Sequence, residues 1–142
     1  MTAEQPILQV LDRYRCAVTA KDVDAFAALY DDEVLVFDLW GRWCHRGLAD
    51  WRATAAEWFG SLADDERVLV EFSDTHVAVA HDLAIAHAFV TYRAVSANGT
   101  DRRSLDNRMS ATLRLKSGRW KIVHEHTSAP VDAASSKVQL KR

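Results

Sequence analysis

The spacing of apolar residues changes from a helical to a strand-like period near residue 67. A first helix, reaching about Ala20, is predicted by apolar side chains three or four residues apart, namely Ile7, Leu11, Tyr14 and Val18. Thr2, followed by Gln5 and Pro6, resembles a capped helix start. Asp22 is a suitable cap for a short second helix.

An aromatic and β-branched segment from Val34 to Trp40 follows these helices and predicts a strand. It carries one acid, Asp38, among apolar neighbours. A third helix is predicted by the apolar stripe of Trp51, Ala55, Trp58 and Leu62.

The rest of the chain predicts strands over residues 68–72, 76–80, 83–94, 103–115 and 120–127. Asn98-Gly99 and Ser117-Gly118 indicate hairpin turns. Helices followed by a meander of strands predict an α+β fold, a curved antiparallel sheet with three helices on one face. We expect one domain over residues 1–130 and a mobile tail over residues 131–142, where the periodicity is lost.

The composition leaves the predicted fold unchanged and excludes some classes of function. The chain has 142 residues, 49% of them hydrophobic, and a formal net charge of −2 without a basic stripe, which argues against nucleic-acid binding. No run approaches the roughly 20 apolar residues of a membrane span, so we expect a cytoplasmic protein. The two cysteines match neither a disulfide framework nor a zinc site. Five Trp and six His are the unusual feature.

The Ser117-Gly118 turn predicts the register of the last hairpin, because a two-residue loop sets the pairing of both strands. Counting outward pairs Leu115 with Trp120, Leu113 with Ile122, Ala111 with His124 and Met109 with His126. That face should be the one covered by helices, so His124 and His126 are predicted to point into a cavity, with Glu125 on the outer face. Each histidine could equally be a core imidazole with one satisfied hydrogen bond.

Asp38 and Tyr14 are the candidate catalytic side chains. A carboxyl group in an apolar setting has a raised pKa, which suits a general base near neutrality. The alternative is that Asp38 lies at an exposed strand end and binds backbone donors. Tyr14 lies on the buried stripe of the first helix, where its hydroxyl is either an oxyanion donor or an ordinary core group.

Trp40, Trp58, Met109 and His126 are candidate ligand contacts, since aromatic and apolar walls suit a small hydrophobic molecule. Trp58 also fits a purely structural role. A metal site is a third alternative, which we rank last. The His-x-His spacing at residues 124–126 would supply two ligands, and Asp38 or His45 a third. We therefore predict neither a metal nor a cofactor.

Several segments together resemble a SnoaL-like domain of the nuclear transport factor 2-like superfamily, which includes ketosteroid isomerases and polyketide cyclases. They are Val10-Leu11-Asp12-Arg13-Tyr14, residues 22–32, Phe37-Asp38 and the run from Trp120 to Pro130. The resemblance spans nearly the whole chain to about Asp132. It implies a cone-shaped α+β fold, a pocket between the concave sheet face and the helices, and a homodimer formed through the sheet.

The resemblance also implies roles for individual residues. Tyr14 matches the oxyanion tyrosine of the isomerases and Asp38 matches their general base. Their second oxyanion donor, a protonated aspartic acid, falls on or near Ala111, so we expect His124 to take that place. A cofactor-free isomerase or cyclase (a lyase) acting alpha to a carbonyl is one interpretation; a non-catalytic ligand-binding or dimerisation module is the other.

Overall fold

The structure, a computed structural model, describes residues 2–142. Over this range the chain forms three helices: α1 (Gln5–Ala20), α2 (Val23–Ala27) and α3 (Leu48–Ser61). It also forms six strands: β1 (Tyr30–Phe37), β2 (His45–Arg46), β3 (Arg67–Ala80), β4 (Leu83–Val95), β5 (Asp101–Lys116) and β6 (Arg119–Ser128). None of the helices in this part of the chain is long and apolar enough to cross a membrane.

The six described strands form one curved, unclosed sheet in the order β2-β1-β6-β5-β4-β3. The helices pack on its concave face, which confirms the predicted α+β class and cone shape. The sheet is mixed and not antiparallel throughout as predicted, because β1 and β6 run parallel while the other neighbouring strands are antiparallel. The parallel pair places the first strand of the chain beside the last.

Several element boundaries differ from the prediction, and the short strand β2 was not predicted. The side chain of Thr2 does not cap α1, which begins after Glu4 with Pro6 in its first turn, whereas Asp22 caps α2 as predicted and accepts a 3.0 Å hydrogen bond from the Ala25 amide. Strand β1 starts and ends earlier than the predicted segment 34–40. Residues 67–80 form a single strand, because a bulge near Asp74 absorbs the expected break.

The last hairpin follows the predicted register only as far as Leu113 and Ile122. Ser117 and Gly118 both have positive φ, as a tight two-residue turn requires, and the first pairs agree with the count. Val123 then pairs with no residue of β5 in the described structure, and beyond it Thr112 pairs with His124. This bulge shifts the register by one residue, so every later side chain of β6 changes face.

Aromatic rings occupy the centre of the core. Phe26 lies 5.5 Å from the Tyr14 ring, 5.1 Å from Tyr30 and 5.7 Å from Phe59, measured between centroids. Phe26 itself is 1% exposed. These rings join α1, α2 and α3 to the sheet.

The C-terminal segment, residues 131–142, lies along β5. The Asp106 amide donates to the Leu140 carbonyl over 2.7 Å, and the Arg142 guanidinium lies 4.0 Å from the centroid of the Phe89 ring. Val131 and Val138 form an isolated bridge within the segment. Its mobility in solution stays a prediction.

Candidate functional site

A cavity of about 490 Å³ lies between the helices and the concave face of the sheet. Its apolar walls combine the aromatic side chains of Phe26, Trp40, Trp51 and Trp58 with aliphatic ones. Polar lining groups include Tyr14, Asp38, Tyr92, Asn107, Glu125 and Thr127. Glu57 and Arg103 are exposed lining residues and therefore mark the opening. An apolar chamber with a few convergent polar groups is the usual form of a small-molecule site.

Asp38 follows directly on β1 and lines this cavity. The Thr127 hydroxyl donates to its Oδ1 over 3.0 Å, while the same hydroxyl accepts a 2.8 Å hydrogen bond from the Leu39 amide. Burial raises the pKa of the Asp38 carboxyl, and the Thr127 hydrogen bond opposes that rise. The group is thus held in one orientation with a pKa shifted toward that of a useful general base.

Glu125 is the most deeply buried acid of the described chain, at 1% exposed. The Tyr30 hydroxyl donates to its Oε1 over 2.6 Å. Burial raises the pKa of Glu125 to about 7; the Tyr30 hydrogen bond lowers it, and the charge of Asp38 raises it. The cavity therefore contains two carboxyl groups in different environments, the arrangement that separates an acid from a base.

Two further phenols lie at the polar end of the cavity. The Tyr14 and Tyr92 hydroxyl oxygens are 2.9 Å apart and hydrogen bonded. Burial raises the pKa of both phenols, so both stay protonated at neutral pH. Either hydroxyl can donate in this hydrogen bond; when Tyr92 donates to Tyr14, the Tyr14 proton is free to be donated to a ligand oxygen.

The structure brings together four of the predicted site residues: Tyr14, Asp38, Trp40 and Trp58 all line the cavity. Met109 does not line it; this side chain is 4% exposed and packs in the core. The prediction of its facing direction is nevertheless confirmed, because Met109 lies on the concave face beside Thr127.

The predicted placement of His124 and His126 is wrong. Their rings lie on the outer face of the sheet, 4.9 and 5.5 Å from the Phe37 ring, and His124 Nδ1 lies 2.7 Å from the Leu35 carbonyl oxygen. The bulge at Val123 is the reason, since a shift of one residue exchanges the two faces of a strand. Glu125, predicted on the outer face, occupies the position opposite Ala111 instead.

The sequence pattern did not predict several groups of the site: Glu125, Tyr92, Asn107, Thr127 and Tyr30. Tyr92 had a usable signal, because it alternates with the inward-facing Val90 and Ala94 on β4. Glu125 had none, because the residues around Val123 contain no glycine or proline to indicate a bulge.

Within residues 2–142 no group of three or more His, Cys, Asp or Glu side chains is arranged to hold a metal ion. The arrangement on the concave face is one of hydrogen-bond donors and acids in an apolar chamber. Chemically it can bind a polar oxygen of a hydrophobic ligand and transfer a proton beside it.

A curved sheet that encloses such a chamber beneath three helices defines an NTF2-like α+β protein. More narrowly, the sequence matches the SnoaL-like domain family over residues 7–132, and the chain belongs to this family. No curated protein gives a significant match.

Solved structures agree with this assignment. An NTF2-like protein of unknown function from Pseudomonas putida KT2440 is 26% identical, with 99% of this chain and 95% of that chain covered and a TM-score of 0.86. The protein Aln2 from a Streptomyces species is 18% identical, with 90% and 92% covered and a TM-score of 0.76. An NTF2-like protein with a cystatin-like fold from Novosphingobium aromaticivorans is 18% identical, with 94% and 85% covered and a TM-score of 0.75. The last two show the fold alone.

Proposed function

We propose that the protein is a cofactor-independent enzyme that removes a proton alpha to the carbonyl of a small hydrophobic substrate, as an isomerase or a cyclase does. The observation that carries the proposal is that Asp38, Tyr14 and Glu125 line one largely apolar cavity. This chemistry needs a base beside the carbon acid and donors at the developing enolate oxygen. We place the protein in the cytoplasm.

In the proposed mechanism the Asp38 carboxylate takes the alpha proton and the electrons of that C–H bond move onto the carbonyl oxygen. Tyr14 donates a hydrogen bond to this oxygen, supported by Tyr92 at 2.9 Å. The proton on Asp38 then returns to another carbon of the substrate in an isomerisation. In a cyclisation the enolate carbon instead attacks a second carbonyl, and the proton goes to the new alkoxide.

Glu125 takes the place that the family resemblance assigned to a second oxyanion donor. It lies opposite Ala111, and the phenol of Tyr30 binds only one of its oxygens in the described structure. With a pKa raised to about 7 by burial, much of the group is protonated at neutral pH and can donate from its other oxygen. A carboxylic acid thus replaces the imidazole expected from the sequence.

The test is deuterium incorporation alpha to the carbonyl, followed by NMR over a panel of hydrophobic cyclic ketones in D₂O. We expect wild-type exchange, with Asp38→Asn and Tyr14→Phe each lowering its rate on the order of 100- to 1,000-fold. Asp64→Asn, at an exposed loop position, is the matched control and should leave the rate unchanged. Exchange that survives Asp38→Asn would refute the mechanism; ketones that bind without exchange would favour a binding module.

We also propose that two copies pair through the outer face of the sheet. That face leaves large apolar side chains in contact with solvent: Phe37 is 37% and Ile85 48% exposed. Light scattering after size exclusion should give twice the chain mass, and Ile85→Asp should halve it. A monomeric wild type would contradict the pairing without affecting the cavity chemistry.

A further inference from the structure

His45 is a buried histidine beside the site whose hydrogen bonds are incomplete. It lies on the short strand β2 and is 4% exposed. Its Nδ1 is 2.7 Å from Arg42 Nη2 and 3.3 Å from the Thr54 hydroxyl. Asp50 Oδ2 is 3.6 Å from the same nitrogen, too far for a hydrogen bond.

These contacts determine which ring nitrogen carries the proton. A guanidinium group only donates hydrogen bonds, so Nδ1 must accept the one from Arg42. The proton of the neutral ring is therefore on Nε2. Arg42 is held in place in turn by Asp50, whose Oδ1 lies 2.5 Å from Nη2.

The Nε2 atom is fully buried and has no hydrogen-bond partner among residues 2–142. The Trp51 ring lies beside the imidazole, with centroids 5.2 Å apart. Burying an N–H group without an acceptor is unfavourable, so this donor needs an explanation.

Strand pairing places the Asp38 carboxyl on the same side as this donor. His45 pairs with Val36, which is fully buried on the concave face, while Phe37 faces outward and Asp38 lines the cavity. Asp38 follows directly on β1, two residues after the pairing partner of His45, and so lies on the same side of the sheet as His45. A positive charge on His45 would lower the pKa of Asp38, so the two groups lie within electrostatic range of each other.

We propose that His45 is a positioning residue whose unpaired Nε2–H group lies on the side of the Asp38 carboxylate and stabilises its ionised form. Arg42 and Asp50 set the tautomer from the protein surface. The groups around Asp38 are then the Thr127 hydroxyl and Glu125 from β6, Tyr92 from β4 and the imidazole from β2. This assignment rests on the proposed role of Asp38, but it concerns a pKa that can be measured without any substrate.

The first measurement needs no variant. Imidazole ¹⁵N shifts distinguish the two neutral tautomers, and His45 should carry its proton on Nε2 at pH 8. A proton on Nδ1 would overturn the assignment even if the ketone assay succeeds.

The second measurement is the pKa of Asp38, read from the ¹³C carboxyl signal that disappears in Asp38→Asn. His45→Leu should raise this pKa by about one unit, a roughly tenfold change in the acid dissociation constant. His45→Gln, which keeps a donor near the Nε2 position, should restore most of the wild-type value. His76→Leu, at an exposed position of β3, is the control and should have no effect.

An unchanged Asp38 pKa in folded His45→Leu would refute the proposal, as would a Gln variant that behaves like the Leu variant. If His45→Leu does not fold, Arg42→Leu replaces it, because Arg42 is 60% exposed at its side chain. Loss of the Arg42 hydrogen bond should then shift the His45 proton toward Nδ1 and raise the Asp38 pKa. If neither the tautomer nor the pKa changes, the proposal is also refuted. A correct pKa result with no ketone exchange would refute only the proposed function.

Discussion

Replacing Glu125 by Gln should change how the stability of the protein depends on pH. Gln keeps the shape of the side chain and an oxygen that can accept the Tyr30 hydrogen bond, which is 2.6 Å long in the structure. It removes only the ability to ionise. The difference between wild type and Glu125→Gln therefore isolates the cost of a charge at a position that is 1% exposed.

The magnitude follows from the raised pKa. Folding moves the pKa of Glu125 from 4.5 to about 7, chiefly by burial. Between these pH values the folded state holds a proton that the unfolded chain has lost, so the free energy of unfolding falls as pH rises. The stabilisation is complete below pH 4.5 and is lost as pH passes about 7. The loss amounts to about 3 kcal/mol, since one pH unit corresponds to about 1.4 kcal/mol.

Urea unfolding, followed by circular dichroism at pH values of about 4.5, 6, 7.5 and 9, measures the free energy of unfolding across this titration. The free energy of unfolding of Glu125→Gln, relative to that of wild type, should rise by about 3 kcal/mol between the lowest and the highest pH. Glu71→Gln, at an exposed position of β3, is the matched control and should run parallel to wild type. A Glu125→Gln curve that also runs parallel would show that Glu125 titrates normally and would refute the reasoning.

Three other outcomes are expected. Phe26→Ala should lower the free energy of unfolding by about 3–5 kcal/mol in urea titrations, because it opens a cavity among the core rings; a loss below about 1 kcal/mol would mean that this ring is not packed as described. Asp22→Ala should cost about 1 kcal/mol through loss of the α2 cap and Asp22→Asn much less, so equal losses would contradict the capping role. Ketone exchange should rise with pH as Asp38 ionises and fall above about pH 7 as Glu125 loses its proton, and in Glu125→Gln this alkaline fall should vanish; its persistence would assign it to another group.

The local pattern was sufficient for most of the fold. Helical spacing located α1 and α3, and Asp22 marked the start of α2. The turn at Ser117 and Gly118 predicted the hairpin because its positive φ values suit the twist of paired strands. The start of β1 was missed because Tyr30 pairs with Ile122, which is distant in the chain, and such a contact leaves no mark on its neighbours in sequence.

The candidate site was predictable only in part, for a related reason. Tyr14 and Asp38 were predicted because each is a polar side chain at a position where the sequence pattern is otherwise apolar. Asn107 and Tyr92 belong to strands whose inward face the two-residue period can identify. The inward direction of Glu125 depended on one unpaired residue in β6, and no glycine or proline near Val123 marks that position in the sequence.

That unpaired residue, Val123, means that one sequence is compatible with two different chamber linings. With the bulge, the cavity receives Glu125 and Thr127 while two imidazoles lie on the outer face; regular pairing of the same residues would bring His124 and His126 inward. Gain or loss of a bulge would thus exchange carboxylic acid for imidazole without any substitution among the lining residues. Relatives that share this fold can therefore diverge in chemistry while their sequences stay similar along this strand, and an alignment that ignores the bulge would pair groups on opposite faces of the sheet.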